Sequence, residues 1–133
     1  MINVIAGPKG SGKTKEMIDG ANAALDVCKG NVVFVTDTSD YSREVNTAIR
    51  FINVRDFGGV SEESLIGFVK GIAASNSDVD RIYIDGLARM LGTPAEDMEG
   101  FFIALDDLSE NHGVDFYLSV TCGKAPKFMK KYQ

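Results

Sequence analysis

Cysteine is scarce in this chain, and long apolar runs are missing from it. The 133 residues include two cysteines, Cys28 and Cys122, which form neither a metal-ligand pair nor a CxxC motif. No stretch approaches the roughly 18 consecutive apolar residues that cross a bilayer. No basic segment followed by a long apolar segment opens the chain. We therefore expect a soluble protein of the reducing cytoplasm that has no membrane partner.

A surplus of positive charge is also missing. The formal net charge is −5, which argues against nucleic acid as a partner. Hydrophobic residues make up 44% of the chain, enough to predict one folded domain over residues 1–133. The exception is the basic tail 124–133, "KAPKFMKKYQ", which contains four lysines and no acid. We interpret it as a solvated surface, with contact to a partner or a phosphate as the alternative.

Apolar patterning predicts strands that alternate with helices. The predicted strands are Ile2–Ala6, Asn31–Asp37, Arg50–Val54, Arg81–Asp85 and Asp115–Thr121. Helices are expected from Gly12 to a cap at Gly30, within 38–49, after an N-cap at Ser61, and from an N-cap at Thr93 to Gly113. This alternation predicts an α/β fold, a three-layer α/β/α arrangement around a mostly parallel five-stranded sheet. A ligand is then expected at the carboxyl ends of the strands.

A glycine-rich loop, "GPKGSGKT", joins the first predicted strand to the first predicted helix. It fits the phosphate-binding pattern G-x-x-x-x-G-K-[ST] at every fixed position. Its glycines let backbone amides surround a phosphate, and the helix start adds unpaired amides. Lys13 is predicted to reach the β- and γ-phosphates, and the Thr14 hydroxyl to ligate Mg²⁺. The predicted nucleotide-binding residues are Gly7, Pro8, Lys9, Gly10, Ser11, Gly12, Lys13 and Thr14.

A carboxylate closes the fourth predicted strand. "RIYID" ends in Asp85, where an acid can hold a magnesium ion through water. The alternative is an ordinary strand-end aspartate that caps the next turn. Thr14 and Asp85 are therefore the predicted metal residues.

With this loop and this aspartate, the chain resembles the P-loop NTPases over nearly its whole length. The segments "VVFVT", "RFINV", "IYIDGLARML" and "HGVDFYLSV" look most like the RecA-like and clock-ATPase branch. The resemblance implies that ATP and Mg²⁺ are the cofactors. It also implies that Thr121, together with Ser119, senses the γ-phosphate; the alternative for Thr121 is a hydroxyl bonded to its own loop. The chain also resembles short bacterial proteins labelled after twitching motility, but retraction motors are much longer and their function is not carried over.

The expected catalytic glutamate is missing. Hydrolysing members of that branch place it at the end of the second strand or directly after the magnesium aspartate. Here Gly86 follows Asp85, and the second strand ends "TDTSD". Asp37 is the nearest candidate to position water, with Asp40 behind it. A side chain one methylene shorter displaces the water by about 1 Å, which can lower the rate on the order of 100-fold. No arginine is recognisable as a finger: Arg43, Arg55 and Arg89 are candidates, with a surface role as the alternative for each.

Three functions remain open at this stage. The first is a weak ATPase in which Lys13, Asp37 and Thr121 are the catalytic residues. The second is a nucleotide-binding switch read by a protein partner, and the third is a small nucleoside or nucleotide kinase. The sequence shows no arginine-rich lid, which argues against the kinase hypothesis. The absence of an N-K-x-D guanine signature favours ATP over GTP.

Strand order separates the RecA-like hypothesis from the kinase hypothesis. A RecA-like sheet has the order Arg50–Val54, Asn31–Asp37, Arg81–Asp85, Asp115–Thr121, Ile2–Ala6. A kinase-type sheet instead places the first strand next to Arg81–Asp85. In the RecA-like order Ile2–Ala6 is an apolar edge, and we expect either the tail or a second subunit to cover it, the latter as a homodimer.

Overall fold

The structure is a computed structural model that describes residues 1–75 and 78–133. Strands alternate with helices along the chain, as the sequence predicts. The strands are β1 (Ile2–Gly7), β2 (Asn31–Thr36), β3 (Arg50–Asn53), β4 (Val79–Ile84) and β5 (Asp115–Thr121). The α-helices are α1 (Lys13–Ala24), α2 (Glu62–Ser75), α3 (Leu87–Leu91) and α4 (Glu99–His112). Short 3-10 helices cover Val54–Phe57, Ala95–Asp97 and Lys127–Tyr132.

The five strands form one all-parallel sheet in the order β1-β5-β4-β2-β3. This is the strand order that we predicted for the RecA-like arrangement. β1 lies at the edge and pairs with β5, so the kinase-type order, with β1 beside β4, is wrong for this chain. Parallel strands aligned in this way bring all their carboxyl ends to one edge of the sheet.

Each face of the sheet has its own apolar cluster because successive side chains of a strand point to opposite faces. In β2, Val32 and Phe34 join the cluster that includes α1, whereas Val33 and Val35 join the larger cluster that includes α2 and α4. This distribution is compatible with a three-layer α/β/α fold. On the α1 face, an aromatic row crosses four strands through Phe51, Phe34, Tyr83 and Tyr117.

Three helix predictions need correction. Residues 38–49 form turns rather than a helix, because polar side chains bond to nearby backbone amides instead. The Thr38 hydroxyl accepts a hydrogen bond from Asp40 N at 3.1 Å, and the Asn46 side chain accepts one from Ala48 N at 2.9 Å.

The first helix ends at Ala24 and does not reach a cap at Gly30. The helix expected from Thr93 begins at Glu99 instead, because Pro94 is extended and a 3-10 turn intervenes. The N-cap at Ser61 is confirmed, since its hydroxyl accepts from Ser64 N at 3.2 Å.

The basic tail folds back onto the sheet. Its 3-10 helix contacts β1, and Met129 and Tyr132 are buried in the larger cluster. Phe128 meets Phe102 of α4 edge-on, with ring centroids 5.4 Å apart. The four lysines of the tail are exposed, as we predicted for a solvated surface. The tail, one of the two covers expected for the β1 edge, thus contacts this strand.

Candidate functional site

The glycine-rich loop connects β1 to α1 in the structure. Gly10 and Gly12 have φ angles of +81° and +87°, a region that side chains with a Cβ rarely adopt. No atom lies within 4 Å of a Cβ built at either position. These glycines are therefore required by the backbone conformation and not by lack of space. The open space beside them is part of a cleft.

Lys13 is the first residue of α1 and is only 9% exposed. Its ammonium group donates to the Pro8 carbonyl at 2.8 Å and to the Ser11 hydroxyl at 3.4 Å. Both partners are neutral. Within the described part of the chain no carboxylate forms a salt bridge with this lysine. A nearly buried positive charge thus lies beside the loop with no salt-bridge partner among the described residues.

Asp85 follows β4 and is 1% exposed. Its Oδ2 accepts a hydrogen bond from the Thr14 hydroxyl at 3.0 Å, and its Oδ1 accepts one from the Ser119 hydroxyl at 2.6 Å. The Ser119 hydroxyl oxygen in turn accepts from the backbone amide of Gly86 at 2.8 Å. Residues from α1, the end of β4 and β5 therefore meet at one point. This buried carboxylate, like Lys13, is held by neutral groups.

Asp37, at the end of β2, has a different kind of partner. Both of its carboxylate oxygens accept hydrogen bonds from Arg89 of α3, the shortest being 2.6 Å from Nη2. Burial alone would raise the pKa of Asp37, but the hydrogen bonds and positive charge of Arg89 outweigh it and hold this pKa below its usual value. The hydrogen bond to Asp37 raises the pKa of Arg89, and the charges of Asp37 and Asp85 add to this rise.

These groups surround a cleft of about 820 Å³, within the size range of small-molecule sites. Of the site residues and candidates named from the sequence, nine line it: Lys9, Gly10, Gly12, Lys13, Thr14, Asp85, Arg89, Ser119 and Thr121. Gly7, Pro8 and Ser11 belong to the same loop but do not line the cleft. Asp37 is connected to the cleft through Arg89, which does line it. Thr121 is exposed at the end of β5, whereas Ser119 is buried against Asp85.

Sequence reasoning missed one wall of the cleft. Tyr41 and Glu44 line it from the turn segment 38–49, which is attached to α1 through Asn22. The Asn22 amide donates to the Glu44 carbonyl at 3.0 Å and accepts from Asn46 N at 2.9 Å. The available signal was Asn22 itself, because asparagine is a poor residue for a helix interior unless its side chain has another partner.

The donor set does not resemble a protein-only metal cage. Among residues 1–75 and 78–133, no group of three or more His, Cys, Asp or Glu side chains is placed to hold a metal ion. One carboxylate and two hydroxyls meet at Asp85 instead. Magnesium commonly takes one or two carboxylates and completes its shell with water and phosphate oxygens. The residues present fit that mode of binding.

Comparison with known proteins does not assign the chain to a family. No model of a known protein family matches the sequence, and no curated protein matches it. None of the helices in the described residues combines the length and apolar character needed to cross a membrane. The candidate site therefore rests on its own geometry.

Proposed function

We propose that this protein is a P-loop NTPase of the RecA-like branch that binds Mg²⁺·ATP in the cleft and hydrolyses it slowly. One observation carries the proposal. Lys13 and Asp85 are both buried beside the same cleft and carry opposite charges, and among the described residues neither forms a salt bridge and both hydrogen-bond only to neutral groups. Buried charges are normally paired or bound to a metal. A magnesium phosphate supplies an anion for the lysine and a cation for the aspartate.

The loop and α1 fit the phosphate end of such a ligand. Gly10 and Gly12 adopt the left-handed conformation that turns amides toward an anion, and α1 is long enough for its N-terminal amides and dipole to contribute. Lys13 would exchange the Pro8 carbonyl for phosphate oxygens. Thr14 and Asp85 would hold the magnesium ion, which when bound shields phosphate charge.

The strand order supports the RecA-like branch over a kinase. β1, which carries the loop, is separated from the Asp85 strand by β5. We expected that separation for a RecA-like sheet and direct pairing for a kinase-type sheet. The preference for ATP over GTP rests on the missing guanine signature in the sequence.

Slow turnover follows from the state of Asp37. A water-positioning carboxylate must reach the reacting phosphate, whereas Asp37 does not line the cleft and directs both of its oxygens at Arg89. Glu44 lines the cleft but is exposed on the turn segment 38–49. The same observation favours a second candidate function, a switch that binds nucleotide and is read by a partner without useful hydrolysis.

A titration with ATP, GTP and a slowly hydrolysed ATP analogue, with phosphate release followed in parallel, tests the proposal. We expect saturable binding that requires Mg²⁺, and turnover well below the median enzyme value of about 10 s⁻¹. Absence of saturable binding by the folded protein contradicts the proposal. Binding without any phosphate release selects the switch.

A further inference from the structure

The contact between Arg89 and Asp37 uses one edge of the guanidinium group. Nε lies 3.0 and 2.9 Å from the two carboxylate oxygens, and Nη2 lies 2.6 Å from Oδ1. Nη1 has no hydrogen-bond partner among the described residues. The Arg89 side chain is 55% exposed and lines the cleft. A molecule bound in the cleft can therefore use the donors that Asp37 leaves free.

The guanidinium group lies directly over Gly86, the residue that follows Asp85. A Cβ built on Gly86 would be 2.4 Å from Nη2 and 2.9 Å from Cζ of Arg89, and Gly86 has a φ of +76°. Any larger residue here would be strained and would displace the arginine. The chain thus places a positive charge next to Gly86 and close enough to Asp85 for the two charges to interact.

Asp37 is placed to hold Arg89 rather than to act as a general base. It is 5% exposed, and Arg89 is its salt-bridge partner. Separating the pair would leave a buried carboxylate uncompensated, which is strongly unfavourable. The pair is therefore expected to stay together when a ligand binds, with Arg89 fixed in direction by Asp37.

We propose that Arg89 donates hydrogen bonds to the terminal phosphate of the bound nucleotide and that Asp37 is the positioning residue that holds it there. The proposal rests on the function proposed above. A guanidinium group combines a permanent charge with several N–H donors and so suits phosphate oxygens. Because the contact is with the terminal phosphate, Arg89 distinguishes a triphosphate from a diphosphate.

The test compares dissociation constants for a slowly hydrolysed ATP analogue and for ADP, both with Mg²⁺. The proteins are the wild type, Arg89→Gln, Asp37→Asn, the double variant, and Arg50→Gln as a control on an exposed arginine outside the cleft. We expect Arg89→Gln to weaken the analogue on the order of tenfold, the usual effect of a lost charged hydrogen bond, and to leave ADP unchanged. Asp37→Asn should weaken binding of the analogue by a smaller factor, and the double variant should have the same dissociation constant as Arg89→Gln.

The ADP measurement separates this role from a purely structural ion pair. If Arg89→Gln weakens binding of the analogue and of ADP by the same factor, or weakens neither, the ratio of the two dissociation constants does not change and the proposal for Arg89 is overturned. Additive effects in the double variant overturn the positioning role of Asp37. Arg89→Lys, which keeps the charge, provides a second variant should Arg89→Gln fail to fold, and it should lose part of the discrimination. A folded wild type that binds neither ligand refutes the proposed function itself.

Discussion

The two sides of the cleft are built in different ways. On the loop side, Lys13 and Thr14 are adjacent in sequence, and the Thr14 hydroxyl meets Asp85 at a strand end. On the arginine side, α3, the end of β2 and the turn segment 38–49 come together through contacts such as that of Arg89 with Asp37. The loop side follows a short pattern that can be recognised, whereas the arginine side exists only once the chain has folded. We expect the loop side to determine whether a nucleotide binds, and the arginine side to distinguish a bound triphosphate from a diphosphate.

The largest effect is expected from Lys13→Ala on the loop side. Removing this charge should weaken Mg²⁺·ATP binding about 100-fold or more, since one charge facing a triphosphate in a partly desolvated site contributes several kcal/mol. The fold should persist, because the Lys13 ammonium bonds only to the Pro8 carbonyl and the Ser11 hydroxyl. Calorimetric titration measures the binding, and thermal unfolding measures the fold.

Lys70→Ala is the matched control, since Lys70 is exposed on α2 and lies outside the cleft. A Lys13→Ala protein that binds as tightly as the wild type and the control would remove the lysine from the site. The claim that the loop side determines whether a nucleotide binds would then be wrong.

An intermediate effect is expected from Asp85→Asn. If the carboxylate acts through a magnesium ion, the change should weaken ATP binding on the order of tenfold with Mg²⁺ and much less with EDTA. The amide oxygen of asparagine can still accept from Thr14 or Ser119, so the local structure is largely kept. Titration of Asp85→Asn under both conditions, with Asp107→Asn on the exposed face of α4 as control, measures the difference. Equal weakening with and without Mg²⁺ points instead to a structural role at the strand end.

The smallest effect on binding is expected from truncation after Lys124, which leaves both sides of the cleft in place. Loss of the tail uncovers apolar surface, because Met129 is fully buried and Phe128 and Tyr132 pack on Phe102. Burial of one such side chain contributes roughly 1.5–3 kcal/mol. We expect self-association, measured by light scattering, together with lower thermal stability and retained nucleotide binding.

A control for the truncation is the double change Lys127→Ala and Lys130→Ala, which alters only exposed lysines of the tail. It should keep the association state of the wild type. A truncated protein with the association state and the thermal stability of the wild type would show that the tail does not cover the sheet.

The positions of the strands and the loop side could be predicted because they depend on local signals. Alternating apolar residues and a glycine-rich turn identify β1 and the start of α1, and strand-end residues of a parallel sheet must share one edge. Asp85 and Thr14 therefore meet as expected. The order that places β1 at the edge was predicted from resemblance, and the sheet has it.

On the arginine side, Asp37 and Arg89 were each candidates from the sequence, but their pairing could not be predicted because its signals are weak or distant. Arg89 is 52 residues from its partner Asp37, and α3 is a single short helix with no sequence signature of its own. The turn segment 38–49 has apolar residues at helical spacing, but its Thr and Asn side chains bond to the backbone and prevent a helix. Tyr41 and Glu44 therefore line the cleft from a turn segment, and a helix over residues 38–49 did not predict this position for them.

The most direct test of the central claim follows backbone amide resonances of the isotope-labelled protein while the slowly hydrolysed ATP analogue is added with Mg²⁺. If the cleft binds the nucleotide phosphates, the largest shifts should come from Gly10, Gly12, Lys13 and Thr14, with smaller shifts at Gly86 and Arg89. The amides of Phe57 and Val60, which line a separate pocket beside α2, should not move. A saturating titration that moves those amides and leaves the loop unchanged, or that moves none, would contradict a nucleotide site at the glycine-rich loop.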